Sequence, residues 1–193
     1  MKIMLVGGKS FWGLSSSYQR AFKELGHDVK LLPRDKRITF GDLGKKLANR
    51  SQLLRSLFSK PLNKSIIEKV SSMKPDLIWI TKGLNIRPGT IRKLSKMSYG
   101  PVINFNPDNP FNSLNSSEYI RKSLPEFDCL FTWGKFLIGK LKEYNSSVYY
   151  LPFAYDPYLY EDNDHNNEDK TIPEVDVAFV GTWTENREEW LAD

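Results

Sequence analysis

Short apolar runs alternate with longer amphipathic segments along the first 151 residues of the chain. Six runs of four or five residues predict buried strands, at 2–6, 28–32, 76–80, 102–105, 128–132 and 148–151. Such runs, separated by helices, are typical of a parallel sheet that is covered on both faces. The pattern therefore predicts an α/β, Rossmann-like domain.

Helical periodicity is clearest in "SSSYQRAFKELGH", where Tyr18, Ala21, Phe22 and Leu25 lie at i, i+3, i+4 and i+7. Serines precede this segment as candidate caps and Gly26 ends it, so a helix is predicted here. The same reasoning predicts further helices over 43–73 in two pieces split near Pro61, from about Pro88, near 116–124 and over 134–144.

The apolar pattern stops in a polar, acidic stretch, "YEDNDHNNEDKTIPE", at 160–174. A new apolar run follows in "VDVAFVGTWTENREEW" and leads into an acidic segment with helix-forming residues. The predicted organisation is a Rossmann-like domain at 1–158, an acidic linker at 159–174, and the first strand and turn of an incomplete second domain at 175–193.

Composition narrows the class of protein. Of 193 residues, 40% are hydrophobic and 13% aromatic, which is enough for a substantial core. No apolar run approaches the ~18 to 20 residues of a membrane span. The opening "MKIMLVGG" is too short for the apolar part of a signal peptide, and the single cysteine, Cys129, can form no internal disulfide. We therefore expect a cytoplasmic protein.

The net charge of +5 hides a strong gradient. Residues 34–74 hold eleven Lys or Arg against three Asp or Glu, whereas residues 155–193 hold two against twelve. Within the basic part, 43–60 has the pattern of a basic amphipathic helix. Such a helix packs on its sheet with a solvated outer face, or it contacts an anionic membrane or an acidic substrate. Nucleic acid is not expected, because aromatic residues are not interleaved with this block.

Candidate binding residues stand at the predicted strand ends, which is where open α/β sheets bind ligands. They are Gly7-Gly8, Lys82-Gly83, Asn106-Pro107-Asp108 and Gly181-Thr182. In "NPDNP" the prolines restrict the backbone, so the loop would hold Asp108 in a fixed position. The alternative is a structural turn in which Asp108 or Asn106 caps the next helix.

Other chemistries lack their signatures. "GGKSFWG" matches neither the G-x-G-x-x-G motif nor a P-loop, and no acidic residue ends the second strand. Both observations weaken the hypothesis of a nicotinamide-dependent oxidoreductase. His27, His165 and Cys129 form no ligand cluster, and the "DND" at 162–164 lies in the acidic linker, so no metal is expected. No G-x-S-x-G nucleophile motif is present.

Four segments in series resemble the CgeB-like group of GT-B glycosyltransferases. They are "ITKG", "NFNPDNPF", "YLPFAYDP" and "VDVAFVGT" followed by an arginine, in the order and spacing of that family. The resemblance implies two Rossmann-like domains that face each other across a cleft. The first chiefly receives the acceptor, and the second chiefly binds the nucleotide-sugar donor. This chain is similar to the first domain and to the opening of the second.

The resemblance also implies roles for residues. It implies an enzyme that moves a sugar from a nucleotide sugar, its co-substrate, to an acceptor without a metal. Within that activity, the place of Asp108 in a rigid loop at a strand's carboxyl end predicts that it acts on the acceptor hydroxyl as base or orienting group. Gly7, Gly8, Lys82 and Asn106, at the other strand ends, are the further candidates for substrate contact. Gly181, Thr182 and Arg187 would approach the donor diphosphate, unless Arg187 only pairs with neighbouring glutamates.

Two further expectations follow from this assignment. The 193 residues alone would bind nucleotide sugars weakly or not at all and transfer nothing, because most of the donor domain is absent from them. The alternative function is a non-catalytic binding or scaffolding domain that acts with a partner chain.

Overall fold

The computed structural model describes residues 1–34, 52–112, 116–160, 176, 179, 181 and 183–191. The chain divides into two compact units, Met1–Leu159 and Tyr160–Asp193. Residues 161–174 of the predicted linker lie outside the described residues.

The first unit is built on one six-stranded parallel sheet. Its strands are β1 (Lys2–Gly7), β2 (Asp28–Pro33), β3 (Leu77–Thr81), β4 (Val102–Asn106), β5 (Cys129–Thr132) and β6 (Val148–Tyr150), in the spatial order β2-β1-β3-β4-β5-β6. Its helices are α1 (Leu14–Glu24), α2 (Gln52–Met73), α3 (Pro88–Met97), α4 (Glu118–Ser123), α5 (Ile138–Lys142) and α6 (Pro157–Tyr160). Short 3₁₀ turns at Leu124–Glu126 and Lys135–Leu137 precede β5 and α5. The predicted α/β, Rossmann-like fold is confirmed.

Helices cover both faces of this sheet, as the continuous apolar strands predict. On one face, Tyr18 and Phe22 of α1 pack against Trp79 and Phe105. On the other face a larger cluster joins the strands to α2, α3 and α5; its helical members include Leu62, Ile66, Val70, Ile91, Leu94 and Leu141. Alternate residues of β1 and β3 therefore serve two cores, which is why these two strands lack a polar face.

The strand order contains a switch point between β1 and β3. The chain moves from β1 outward to β2, and then returns to add β3 on the opposite side of β1. In doubly wound sheets the connections diverge at such a point, which leaves a crevice at the carboxyl ends of the two strands. Here that crevice lies beside Gly7 and Thr81, the last residues of β1 and β3.

The prediction of two helical pieces split at Pro61 was wrong for residues 52–73. They form the single helix α2, with Pro61 inside it. Proline removes one backbone hydrogen bond and costs about 3 kcal/mol in a helix interior. The helix carries that cost because the next turns bury Leu62, Ile66 and Val70 in the core. Packing outweighs the local preference.

Part of the predicted basic block, residues 52–60, lies in α2. Residues 43–51 lie outside the described residues, so the membrane contact predicted for this block stays a prediction. Within the described ranges, no helix is both long enough and apolar enough to cross a membrane.

In the second unit, the predicted strand at 175–180 lies mostly outside the described residues and stays a prediction. Asp176 and Phe179, the described residues of that segment, belong to no strand, and Phe179 is 55% exposed. The following helix, α7 (Glu185–Leu191), begins two residues before the predicted start near Arg187. The backbone N–H of Arg187 donates to the carbonyl of Thr184 at 2.9 Å, and Thr184 is the residue that precedes the helix.

Candidate functional site

Buried polar side chains lie at the carboxyl edge of the sheet. Thr81 ends β3, Asn106 ends β4 and Thr132 ends β5, and the strand register pairs Asn106 with Thr132. Asn104 lies two residues before Asn106 in β4, and its Nδ2 donates to the carbonyl of Ile80 at 3.0 Å. The core residues of β1 and β3 are aliphatic or aromatic, so these buried polar residues make the carboxyl edge a candidate site.

Two predicted site residues meet at this edge. The ammonium Nζ of Lys82 lies 2.6 Å from Oδ2 of Asp108, and the two side chains are 20% and 32% exposed. The alternative, in which Asp108 caps the next helix, is not what the structure shows. The cap of α4 is Ser117, whose hydroxyl accepts the backbone N–H of Ile120 at 3.3 Å. The carboxylate of Asp108 is therefore available for a site.

Lys82 holds an unusual backbone conformation to make this pair. Its φ is 66°, and that of Gly83 is 82°, so two consecutive residues occupy the left-handed region. This region costs about 1–2 kcal/mol for a residue with a Cβ. The backbone N–H of Lys82 still donates to the carbonyl of Phe105 at 2.9 Å, which ties the turn to β4. Strain retained at a strand end is a recurring mark of functional sites.

The loop after β4 is fixed by its own side chains. Asn106 Oδ1 accepts the backbone N–H of Asp108 at 3.1 Å, and Asn109 Oδ1 accepts that of Phe111 at 2.9 Å. These are Asx turns, in which an amide side chain replaces a backbone acceptor. Pro107 and Pro110 have no N–H and restrict φ. The sequence "NPDNP" therefore fixes the position of Asp108.

Two buried polar atoms beside the pair have no hydrogen-bond partner among the described residues. They are Nδ2 of Asn106 and Oγ1 of Thr81. A buried donor without a partner costs about 1–3 kcal/mol, so such atoms are uncommon in folded proteins. Both lie at strand ends that adjoin Lys82 or Asp108 along the chain.

The predicted glycines of β1 have a packing role. Gly7 is buried, and a Cβ at this position would overlap Oγ of Ser15 in α1 and lie 3.3 Å from Cβ of Thr81. Gly7 thus lets the first turn of α1 approach the sheet. Gly8 follows it and is half-buried. The structure brings these glycines to the switch point, one strand away from Lys82, and contact with a substrate stays a prediction.

Arg20 forms a contact that the sequence analysis missed, which we name the Arg20 latch. Its guanidinium donates to the carboxylate of Asp156 from both Nε and Nη2, and to Oγ of Ser17 at 3.1 Å. The same group lies over the rings of Phe11 and Tyr158, at 5.5 and 5.1 Å from the centroids. The hydrogen bonds from Arg20 lower the pKa of Asp156 below its ordinary value.

The latch joins two segments that the sequence analysis singled out separately. Asp156 lies in "YLPFAYDP", after β6, and Phe11 lies in "GGKSFWG", after β1. A pocket of about 110 Å³ lies between α1 and residues 154–157 beside the latch, with Tyr18 in its wall. Burial raises the pKa of Tyr18 to about 12, so its hydroxyl stays protonated near neutral pH.

Exposed aromatic rings lie beside the site as well. Trp133 follows β5 and stacks on Phe153, which follows β6, with centroids 5.8 Å apart and ring planes inclined by 28°. Phe153 also contacts Phe105, whose carbonyl accepts the N–H of Lys82. Trp133 is 36% and Phe153 52% exposed. Their apolar surface faces solvent, which is typical of binding surfaces.

The residues assigned to the donor lie in the second unit. The guanidinium of Arg187 lies 5.8 Å from the ring centroid of Phe179, and a Cβ at Gly181 would lie 3.3 Å from Nη1 of Arg187. Gly181 and Arg187 are therefore neighbours. Thr182 lies outside the described residues.

Metal and thiol chemistry find little support in the described ranges. No group of three or more His, Cys, Asp or Glu side chains there is spaced to hold a metal ion. Burial raises the pKa of the Cys129 thiol, which disfavours the thiolate that a nucleophile needs. That the protein needs no metal stays a prediction.

Comparisons with protein-family models and with curated proteins found no match. Among solved structures, the chain is similar to an alpha-glucosyltransferase in complex with UDP and a 13-mer DNA containing a central A:G mismatch. Sequence identity is 17% and the TM-score 0.43, over 78% of this chain and 40% of that one. The chain thus spans well under half the length of that enzyme. At this similarity the match carries no argument about function, which rests on the site itself.

Proposed function

We propose that this chain is the acceptor-side part of a GT-B glycosyltransferase, which moves a sugar from a nucleotide sugar to an acceptor hydroxyl. The observation that carries the proposal is the pair of Lys82 Nζ and Asp108 Oδ2, 2.6 Å apart at the carboxyl edge of the sheet. The resemblance of "ITKG" and "NFNPDNPF" to the CgeB-like group supports it, because these segments contain the two residues.

Asp108 has the chemistry to orient an acceptor hydroxyl or to take its proton. One carboxylate oxygen binds Lys82, and no described residue donates a hydrogen bond to the other. A hydroxyl that donates to this second oxygen would be aligned for attack on the sugar carbon. Proton transfer to a positioned base contributes roughly 10²- to 10⁴-fold in rate.

Lys82 serves as the partner that orients Asp108. Its strained backbone and the Asx turn at Asn106 hold the ammonium and the carboxylate together before any substrate arrives. Such preorganisation matters because much of the rate enhancement in group transfer comes from placing the reactants correctly. The exposed rings of Trp133 and Phe153 offer apolar faces on which the C–H face of a sugar ring can lie.

The donor side of the proposal rests on resemblance. Gly181, Thr182 and Arg187 are assigned to the donor diphosphate, and the neighbouring positions of Gly181 and Arg187 support that assignment. Guanidinium groups bind phosphate oxygens through paired hydrogen bonds. Glycine turns and helix N-termini can carry phosphate charge without a metal, so no metal is proposed.

The test uses the protein at its full natural length. Nucleotide sugars are screened by calorimetry. Each that binds is assayed for hydrolysis, in which water takes the place of the acceptor hydroxyl, the sugar is transferred to water and the nucleoside diphosphate is released. We expect binding and slow release for at least one nucleotide sugar. A full-length protein that binds none of them would favour the non-catalytic scaffolding domain instead.

A further inference from the structure

A second candidate site lies between helices α2 and α3, away from the Lys82–Asp108 pair. An open groove of about 890 Å³ is lined by Lys60 and Lys64 from α2 and by Arg87 and Lys93 from the start and middle of α3. We name it the basic groove. Its volume falls within the range of small-molecule sites, ~300 to 1,000 Å³. It shares no lining residue with the proposed acceptor site.

Positive charge dominates the basic groove. Among the described residues of the lining, Lys60, Lys64 and Lys93 carry positive charges beside one carboxylate, that of Glu68. Glu68 lies 3.7 Å from Lys64, with the two side chains 62% and 79% exposed. An exposed pair of this kind contributes only about 0–1 kcal/mol and leaves much of the lysine's charge available. The three lysines exceed the one carboxylate of the described lining by two charges, so this lining fits a ligand with two or more negative charges.

Buried hydrogen bonds fix the walls of the groove. Asn63 is buried in α2, and its Nδ2 donates to the carbonyls of Ser59 and Asn85 at 2.7 and 2.9 Å. Its Oδ1 accepts the backbone N–H of Arg87 at 2.9 Å. The guanidinium of Arg87 also donates from Nε to Oγ of Ser59 at 3.1 Å. The two helices are thereby held at a set separation, and the side chain of Arg87 is oriented within the groove.

We propose that the basic groove binds a phosphomonoester or diphosphate group joined to an apolar body. A phosphomonoester carries about −1.5 to −2 charges near neutral pH, which suits this lining. Lysine ammonium groups such as those of Lys60 and Lys64 bind phosphate oxygens as point charges. Pro61 and Ile67 provide an apolar surface in the same groove for the rest of the ligand.

The experiment compares two double variants of the full chain. Lys60→Gln with Lys64→Gln removes two charges from the groove. Lys69→Gln with Lys96→Gln removes two charges from exposed positions of the same two helices that do not line it. Inorganic pyrophosphate is titrated into each protein by calorimetry, after circular dichroism has shown equal folding. Vesicles of phosphatidylcholine, with and without phosphatidic acid, are sedimented with each protein in a parallel arm.

We expect the groove variant to lose about tenfold or more in affinity, a change of about 1.4 kcal/mol, while the control variant changes little. Binding of pyrophosphate identifies a soluble phosphorylated ligand as the source, and binding of phosphatidic acid vesicles alone identifies a lipid headgroup. Equal losses in the two variants would show a non-specific charge effect and overturn the proposal. Absence of binding to either probe by the unmodified protein would overturn it as well.

Discussion

The Arg20 latch allows a quantitative test of how the segment after β6 is held against α1. The perturbation is Arg20→Ala, alone and together with Asp156→Asn. The first change removes the guanidinium from between Phe11 and Tyr158 and ends its hydrogen bonds to Asp156. The second keeps the shape of the side chain and removes its charge. Both residues lie in the first unit.

The expected loss follows from the burial of the pair. The side chains of Arg20 and Asp156 are 20% and 14% exposed, between a surface ion pair and a buried one. Exposed pairs contribute about 0–1 kcal/mol, and breaking a buried pair costs about 3–5 kcal/mol. Each of the two cation–π contacts adds about 0.5–1 kcal/mol. We therefore expect Arg20→Ala to lower the free energy of unfolding by about 2–4 kcal/mol.

Urea denaturation of the four proteins in the double-mutant cycle measures this value. We expect a coupling energy between Arg20 and Asp156 of about 1–2 kcal/mol, because they share one interaction. Arg92→Ala is the control, since Arg92 also donates from Nε and Nη2 to a carboxylate, that of Glu126, but its side chain is 61% exposed. Arg92→Ala should shift the midpoint of urea denaturation far less than Arg20→Ala does. A coupling energy within about 0.5 kcal/mol of zero would refute the reasoning.

The latch also has a pH signature with a definite sign. Arg20 lowers the pKa of Asp156 in the folded chain below the ordinary value of 3.8. The ionised carboxylate therefore stabilises the folded state above pH 3.8, and this contribution is lost as the pH falls through the lower folded value. Asp156→Asn should flatten the loss of stability in that acid range. An unchanged acid profile would contradict this role for Arg20.

Three further predictions concern single side chains. Lys74 and Lys82 are the two non-glycine residues with positive φ among the described residues. In urea denaturation, Lys74→Gly should raise the free energy of unfolding by about 0.5–1 kcal/mol because glycine relieves the backbone strain. Lys82→Gly should change it little, because this substitution also removes the ion pair with Asp108, and equal gains in the two variants would contradict a stabilising pair. The pKa of Tyr18 is raised to about 12 from 10.0, so its protonated hydroxyl stabilises the fold fully below pH 10 and progressively less up to about pH 12. Tyr18→Phe should therefore reduce the loss of stability at alkaline pH, and a pH profile of stability identical to that of the unmodified protein would argue against burial of the hydroxyl. In the full-length protein, Arg187→Ala should weaken nucleotide-sugar binding by ~1.5–3 kcal/mol in calorimetry, and unchanged affinity would remove Arg187 from the donor site.

The sheet could be predicted from the sequence because the pattern that specifies each strand is local. The inner strands β1, β3 and β4 are short runs that are buried on both faces, so sequence pattern and burial point to the same element. Pro61 shows the limit of this reasoning. Local preference ends a helix there, but the core contacts of Ile66 and Val70 keep α2 continuous, and those contacts depend on tertiary structure.

The site was predicted only in part, for a related reason. Parallel strands place their carboxyl ends at one edge, so the proximity of Lys82 and Asp108 followed from the fold, but their direct pairing depends on a strained backbone at Lys82. The Arg20 latch joins residues 136 positions apart in sequence, and neither residue type marks it. The segment "YLPFAYDP" was singled out in the sequence and contains Asp156. The sequence did not indicate that Asp156 pairs with Arg20 of α1.

The central claim is that the carboxylate of Asp108 acts on the acceptor hydroxyl, and one rate comparison tests it directly. Asp108→Asn and Asp76→Asn are compared in the full-length protein. Asp76 accepts the backbone N–H of Lys2 at 2.7 Å at the opposite edge of the sheet, and an amide can replace it there. With a nucleotide sugar that binds, the account predicts that Asp108→Asn lowers diphosphate release by ~10²-fold or more at unchanged donor affinity, while Asp76→Asn stays near the unmodified rate. A release rate for Asp108→Asn equal to that of Asp76→Asn would contradict the claim.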